Sequence, residues 1–322
     1  MPFRQDPGGN LFILSMCIML GMNTRQAISE AILRTKLLAT LLTLLTVITA
    51  CLPSIPPIPT STSLPPNASQ TPKPTPTITL IPTSTPLTCL TLPGRVEEGA
   101  LDSFKPSQQF RVYLPPCYDE KPDQRYPVLY LLHGQTYTDD QWIRLGAVRV
   151  LDELIISGEA QPFIIVFPDD RYWNLVAGPG FGDRLIEAVI PYIDSTYRTI
   201  PDRAHRAIGG MSRGAGWSLR LGLTHWDLFS AIGLHSLAVL QKDASRVRNW
   251  INDIPLSSRP QIFMDIGDND QELLMAERVE SEFNDDDISH EWHLYSGAHT
   301  EEYWSAHVEE YIRWYAERWN TP

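Results

Sequence analysis

From residue 109 onward, short apolar runs alternate with stretches of helical spacing. Residues 109–114 (QFRVYL) alternate like a half-exposed strand, whereas 127–132 (PVLYLL) and 162–167 (PFIIVF) are continuous apolar runs suited to a sheet interior. Residues 147–156 and 181–197 carry helical spacing. A short apolar strand ends at Ile208, and after a glycine-rich turn a helix-forming run follows through Gly222. Further strands are expected at 231–234, 260–266 (PQIFMDI) and 291–295, with a helix from about Glu272 and a last one over 303–319. Apolar strands alternating with helices predict an α/β domain over 89–322, with a mostly parallel sheet covered on both faces. Reactive groups then belong at the carboxyl ends of the strands.

The first quarter of the chain has a different pattern. Residues 37–50 are fourteen consecutive Leu, Thr, Val, Ile or Ala, preceded by Arg34 and Lys36. A basic segment before an apolar run shorter than the roughly 20 residues of a membrane span reads as a leader. It ends Val47-Ile48-Thr49-Ala50-Cys51, which looks like a bacterial lipoprotein processing site, so residues 1–51 are expected to be a leader with Cys51 lipidated. An uncleaved anchor helix is the alternative, and either places the domain outside the cytoplasmic membrane. A second apolar run at 11–20 suggests translation from Met19 or Met22. Residues 52–88 hold 11 Pro, 9 Thr and 5 Ser with a single charge, Lys73. That much proline removes backbone donors and predicts an extended, disordered spacer reaching on the order of 100 Å.

Charge and cysteine usage narrow the partners. The chain carries 26 basic and 38 acidic residues, and after position 50 the balance is 22 against 36. Such a surface repels nucleic acid and anionic head groups, so membrane attachment rests on the acyl anchor. Cys89 and Cys117 are the cysteines outside the leader, and in an exported domain they are expected to form a disulfide.

The candidate chemistry centres on Gly210-Met211-Ser212-Arg213-Gly214, a Gly-x-Ser-x-Gly turn between a strand and a helix. So tight a turn lifts a hydroxyl clear of the sheet and aims backbone N–H groups at what bonds to it. A serine nucleophile needs a base, and the base needs a carboxylate to hold it. His299 lies in the loop behind the last strand, just past Gly297. Asp268 and Asp270 both lie in the loop after 260–266; Asp270 is favoured and Asp268 is the alternative. The other histidines occupy no such loop. The run Asp285-Asp286-Asp287 does not match a calcium loop and reads as a solvated turn. Loops carrying Tyr137 and Trp142, and 169–173 with Trp173, should border the cleft, where aromatic rings suit a sugar or phenolic group. His133, Gly134, Trp142 and Trp173 are the candidates for substrate contact, with a structural role weighed for His133.

On these residues the domain resembles an esterase family of α/β-hydrolases that holds esterase D, feruloyl and acetylxylan esterases, enterochelin esterases and the antigen 85 mycolyltransferases. The matching segments are FRVYLP at 110–115, YLLHG at 130–134, VIPYID at 189–194, GGMSRG at 209–214, GDND at 267–270, and GAH at 297–299 with Tyr303-Trp304. The resemblance implies an α/β-hydrolase fold with Ser212 as nucleophile, Asp270 as acid and His299 as base. It also implies oxyanion donors from the backbone of Arg213 and Gln135. Arg213 stands where many members have methionine, either favouring acidic groups on the substrate or facing solvent. The expected protein is a lipid-anchored, extracytoplasmic serine carboxylesterase acting on a small-molecule or glycan ester, without metal or cofactor. Acyl transfer to an alcohol, as in the mycolyltransferase relatives, and a silent binding lipoprotein are the alternatives.

Overall fold

The computed structural model describes residues 88–171 and 180–320, all within the compact unit Leu80–Pro322. The residues expected to form a leader, with Cys51, those expected to form a spacer before Thr88, and Trp173 lie outside the described residues. Eight strands form one sheet: β1 (Arg95–Leu101), β2 (Gln108–Leu114), β3 (Val128–Leu132), β4 (Ile164–Pro168), β5 (Arg206–Met211), β6 (Ala231–His235), β7 (Gln261–Gly267) and β8 (His290–Tyr295). Their order is β1-β2-β4-β3-β5-β6-β7-β8. β1 and β2 pair antiparallel with their neighbours, and every pairing from β4 to β8 is parallel.

The interior strands are buried on both faces, which is why they read as unbroken apolar runs. Alternate residues serve opposite layers. Tyr130 and Leu132 of β3, Val166 of β4, Ile208 of β5 and Leu234 of β6 face one cluster. Leu129, Leu131, Ile165, Phe167 and Ala207 face the other. The first layer is completed by α5 (Arg213–Thr224), α6 (Val247–Asp253), α7 (Leu273–Asp285) and a helical run made of α3 (Phe181–Arg184), a π turn (Leu185–Val189) and α4 (Ile190–Thr196). The widened turn precedes Pro191, whose missing N–H removes one helical hydrogen bond. The opposite layer is α2 (Ala147–Ser157) and α8 (Glu301–Glu317), with the short α1 (Gln141–Arg144) beside them. Thr300 caps α8, its side chain accepting from the Tyr303 N–H, and Glu301 and Glu302 lie in the first turn, where negative charge suits the helix dipole.

Two strands differ from the sequence expectation, which also names no helix at α1 or α6 and a single helix where α3, the π turn and α4 stand. β1 (RVEEGAL) is an additional strand: its edge position leaves it half exposed, so no apolar period marks it. The strand expected to end at Ile208 runs on to Met211. Gly209 and Gly233 lie side by side under the ring of Tyr315, where an added Cβ would stand 1.7 Å from the Tyr315 hydroxyl. Glycine there serves close approach by a helix side chain, and the turn is confined to Ser212. The expected disulfide joins Cys89 and Cys117.

Candidate active site

Ser212 sits between β5 and α5 with φ 53° and ψ −121°, a conformation that L residues with a side chain rarely adopt. The turn closes only because its flanks are bare. A Cβ on Gly210 would come 2.4 Å from the Gly214 carbonyl carbon, and one on Gly214 would come 2.2 Å from the Leu132 oxygen. The Ser212 N–H donates to the His235 carbonyl oxygen at 2.9 Å, tying the turn to the end of β6.

The three loops named from the sequence meet at this edge. Ser212 Oγ lies 2.7 Å from His299 Nε2. His299 Nδ1 lies 2.9 and 2.8 Å from the two carboxylate oxygens of Asp270. Asp270 Oδ1 also accepts the Glu272 N–H at 2.8 Å. Burial alone would raise the Asp270 pKa, but the hydrogen bonds from His299 and the Glu272 N–H outweigh it and hold the carboxyl below its usual range. Asp268 braces the backbone instead. Its Oδ1 accepts the Gly297 N–H at 3.0 Å and so fixes the turn before His299. The Trp304 ring meets His299 edge-on with centroids 5.1 Å apart.

The backbone N–H of Arg213 opens α5, and that of Gln135 follows Gly134, which packs against Ser212. A Cβ on Gly134 would lie 3.6 Å from that of Ser212. The Arg213 side chain is not outward-facing. Its Nε donates to Asp170 Oδ2 at 2.7 Å, and the Trp217 indole N–H reaches the same oxygen at 2.7 Å. Burial pushes the Asp170 carboxyl up, with Arg213 offsetting part of the effect.

Of the candidates for substrate contact, Trp142 is corrected, and His133 takes the structural role also expected of it. Trp142 is 1% exposed, and its indole N–H donates to the Leu132 oxygen at 2.9 Å. It is a core residue that ties α1 to the end of β3. His133 is also buried, its Nδ1 2.7 Å from the Gly134 oxygen while its Nε2 accepts the Asp170 N–H at 2.8 Å. With both nitrogens engaged, it ties the loop after β3 to the loop after β4. Residues outside the sequence reading hold the site together. Gln141, fully buried, accepts the Gly134 N–H at 2.8 Å through Oε1, and its Nε2 donates to Glu301 at 3.2 Å. Nothing in a polar run such as TYTDDQ marks it. Among the described residues no group of three His, Cys, Asp or Glu side chains is placed to hold a metal ion.

Residues 102–315 match the family described as "Putative esterase". The chain is 30% identical over 145 residues to endo-1,4-beta-xylanase Y of Acetivibrio thermocellus, a match covering 41% of this chain and 12% of the xylanase. It is 33% identical over 140 residues to an endo-1,4-beta-xylanase/feruloyl esterase of Xylanibacter ruminicola, covering 40% of this chain and 19% of that protein. The match thus spans less than a fifth of either relative's length. A solved ferulic acid esterase superposes with a TM-score of 0.63 at 26% identity, covering 71% of this chain and all of that one. Fold and motif agree with that match, and the chain belongs to this esterase family of α/β-hydrolases.

Proposed function

We propose that the protein is a serine carboxylesterase exported from the cytoplasm and anchored by a lipid on Cys51. The observation that carries the catalytic reading is the continuous Ser212–His299–Asp270 hydrogen-bond chain at the carboxyl edge of the sheet. Ser212 Oγ attacks the ester carbonyl carbon while His299 Nε2 takes its proton. The carbonyl oxygen becomes an anion held by the N–H groups of Arg213 and Gln135. Asp270, accepting from His299 Nδ1, fixes the tautomer and stabilises the imidazolium. The C–O bond to the alcohol then breaks, His299 protonates the departing oxygen, and the acyl group stays on Ser212. Water, deprotonated by His299, attacks the acyl-enzyme; the acid leaves and the Ser212 hydroxyl is restored.

Substrate choice rests on the relatives, of which one is named a feruloyl esterase and one a ferulic acid esterase. A hydroxycinnamoyl or acetyl ester of a sugar is therefore the proposed substrate. Its anionic product acid would be repelled by a surface carrying 36 acidic against 22 basic residues after position 50, which favours release.

A fluorophosphonate probe tests the chemistry. Covalent labelling of the wild type, lost in Ser212→Ala, is the expected result, and an unlabelled wild type refutes it. Parallel hydrolysis of p-nitrophenyl acetate, methyl ferulate and a feruloylated arabinose ranks the substrates. Export and anchoring are checked by acyl-chain labelling in a bacterial host: label lost in Cys51→Ala supports the anchor, and an unlabelled wild type refutes it.

A further inference from the structure

We propose that Gln141 is the positioning residue of the oxyanion site, and that Glu301 couples it to the loop carrying His299; the proposal rests on the esterase reading above. The loop after β3 offers three backbone groups near Ser212: the Gly134 N–H, the Gly134 carbonyl and the Gln135 N–H. The first is consumed by Gln141 Oε1 at 2.8 Å. The second accepts from His133 Nδ1 at 2.7 Å and from the Tyr137 N–H at 3.3 Å. In a trans peptide the N–H points opposite to the carbonyl it adjoins. Pinning the Gly134 carbonyl therefore sets the direction of the Gln135 N–H, the one donor of the three left for a developing oxyanion.

Gln141 fixes the preceding peptide through the Gly134 N–H, so that the loop is held on both sides of Gly134, and its own amide is held at both ends. Its side chain is fully buried, so its Nε2 must find an acceptor, and it donates to Glu301 Oε1 at 3.2 Å. Glu301 is in turn held by Arg144 Nη2 at 3.1 Å. It is the first residue of α8, two positions past His299, behind the Thr300 cap. One side-chain amide thus spans the oxyanion loop and the base loop. Gln141 touches no reacting atom. Its contribution is that both loops keep one spacing, and donors act only when held within about 0.5 Å of a geometry that places them roughly 3 Å from the oxyanion.

The test measures steady-state hydrolysis of p-nitrophenyl acetate and the rate of fluorophosphonate labelling, well below the melting temperature of each variant. Gln141→Met, close in volume and without hydrogen bonds, is expected to lower kcat by about 10- to 100-fold with KM within about threefold. Gln141→Glu keeps the acceptor for Gly134 but faces Glu301, and should lose a similar factor. Adding Glu301→Gln restores a donor–acceptor pair of reversed polarity, so the double variant should recover to within about threefold of wild type. Glu301→Ala, at a partly exposed position, should lower kcat about 3- to 10-fold even if the Gln141 variants fail to fold. The proposal is overturned by folded Gln141→Met or Glu301→Ala with kcat within twofold of wild type. It is equally overturned by a loss carried in KM, or by a double variant no better than Gln141→Glu. A wild type that is not labelled at Ser212 would instead sink the esterase reading, so the two failures are told apart.

Discussion

His235 Nδ1 and Asp265 Oδ1 stand 2.7 Å apart, as close as His299 and Asp270, yet the pair is almost completely shut off from solvent. The second imidazole nitrogen meets the Tyr315 hydroxyl at 3.0 Å, and Asp265 Oδ2 accepts from Tyr303 at 2.8 Å and Tyr311 at 2.6 Å. Burial and the Asp265 charge push the Tyr303 and Tyr311 hydroxyls well above the usual range, so they remain donors. This network joins α8 to β6 and β7, and the His235 carbonyl in turn holds the Ser212 N–H. It has the ingredients of an acid–base pair and none of the access.

His235→Phe follows from that arrangement. The phenyl ring keeps the stacking on Tyr311, whose centroid lies 3.8 Å from the imidazole, and loses both nitrogens. Removing one partner of a buried pair costs roughly 3–5 kcal/mol. For a domain of this size that lowers the melting temperature by about 10 °C. Labelling by a fluorophosphonate should fall only with the folded fraction. A normal melting temperature combined with lost labelling would contradict the structural role.

How much of this is legible in the sequence depends on the distance over which each signal acts. Ser212 announces itself because the steric demand for Gly210 and Gly214 is local, and His299 and Asp270 because strand ends are local too. Sequence position favours Asp270 over Asp268 without excluding either, and three-dimensional contacts separate them: Asp268 braces Gly297 while Asp270 faces His299. Trp142 misleads because an aromatic after a His-Gly loop has the same sequence signature whether it faces the cleft or caps the Leu132 carbonyl. Gln141 and Glu301 are invisible, their partners being 7 and 160 residues away along the chain. β1 escapes because an edge strand needs no apolar period.

The Cys89–Cys117 bridge acts on stability rather than on chemistry. The two residues are 28 apart, and closing a loop of that length is worth about 3 kcal/mol in the chain-entropy treatment. The double variant Cys89→Ser with Cys117→Ser should melt roughly 6–12 °C lower, with kcat unchanged below the transition. The bridge lies before β1 and after β2, at the sheet edge opposite β8. A melting temperature equal to wild type would show that the segment before β1 is held by packing alone.

At Ser212 itself, activity and stability should oppose each other. The backbone there has φ 53°, and a residue with a Cβ in such a conformation costs of order 1 kcal/mol more than glycine. Ser212→Gly and Ser212→Ala should both abolish labelling. Of the two, the glycine variant should melt about 2–4 °C higher, since alanine retains the strain. Equal melting temperatures would place the strain elsewhere in the turn.

The acid limb of stability should carry the signature of Asp270. Its carboxyl is held below the ordinary aspartate value of 3.8 in the folded protein, so the folded state releases a proton that the unfolded chain keeps. The stability it contributes is present above that value and is lost as the pH falls through the folded pKa. Asp170 has the opposite sign: burial raises its pKa, so its contribution is present at low pH and lost as the pH rises. Urea unfolding from pH 2 to 6 separates the two. Asp270→Asn should flatten the dependence of unfolding free energy on pH below about 4, by at most about 1.4 kcal/mol per pH unit. Asp170→Asn should make the rise with pH steeper. The same Asp270→Asn protein should lose about 10⁴-fold in kcat at neutral pH, because an amide supports the wrong imidazole tautomer. If Asp270→Asn leaves the slope unchanged or steepens it, the hydrogen bonds from His299 and Glu272 do not set the Asp270 titration; if Asp170→Asn flattens it, burial does not govern Asp170.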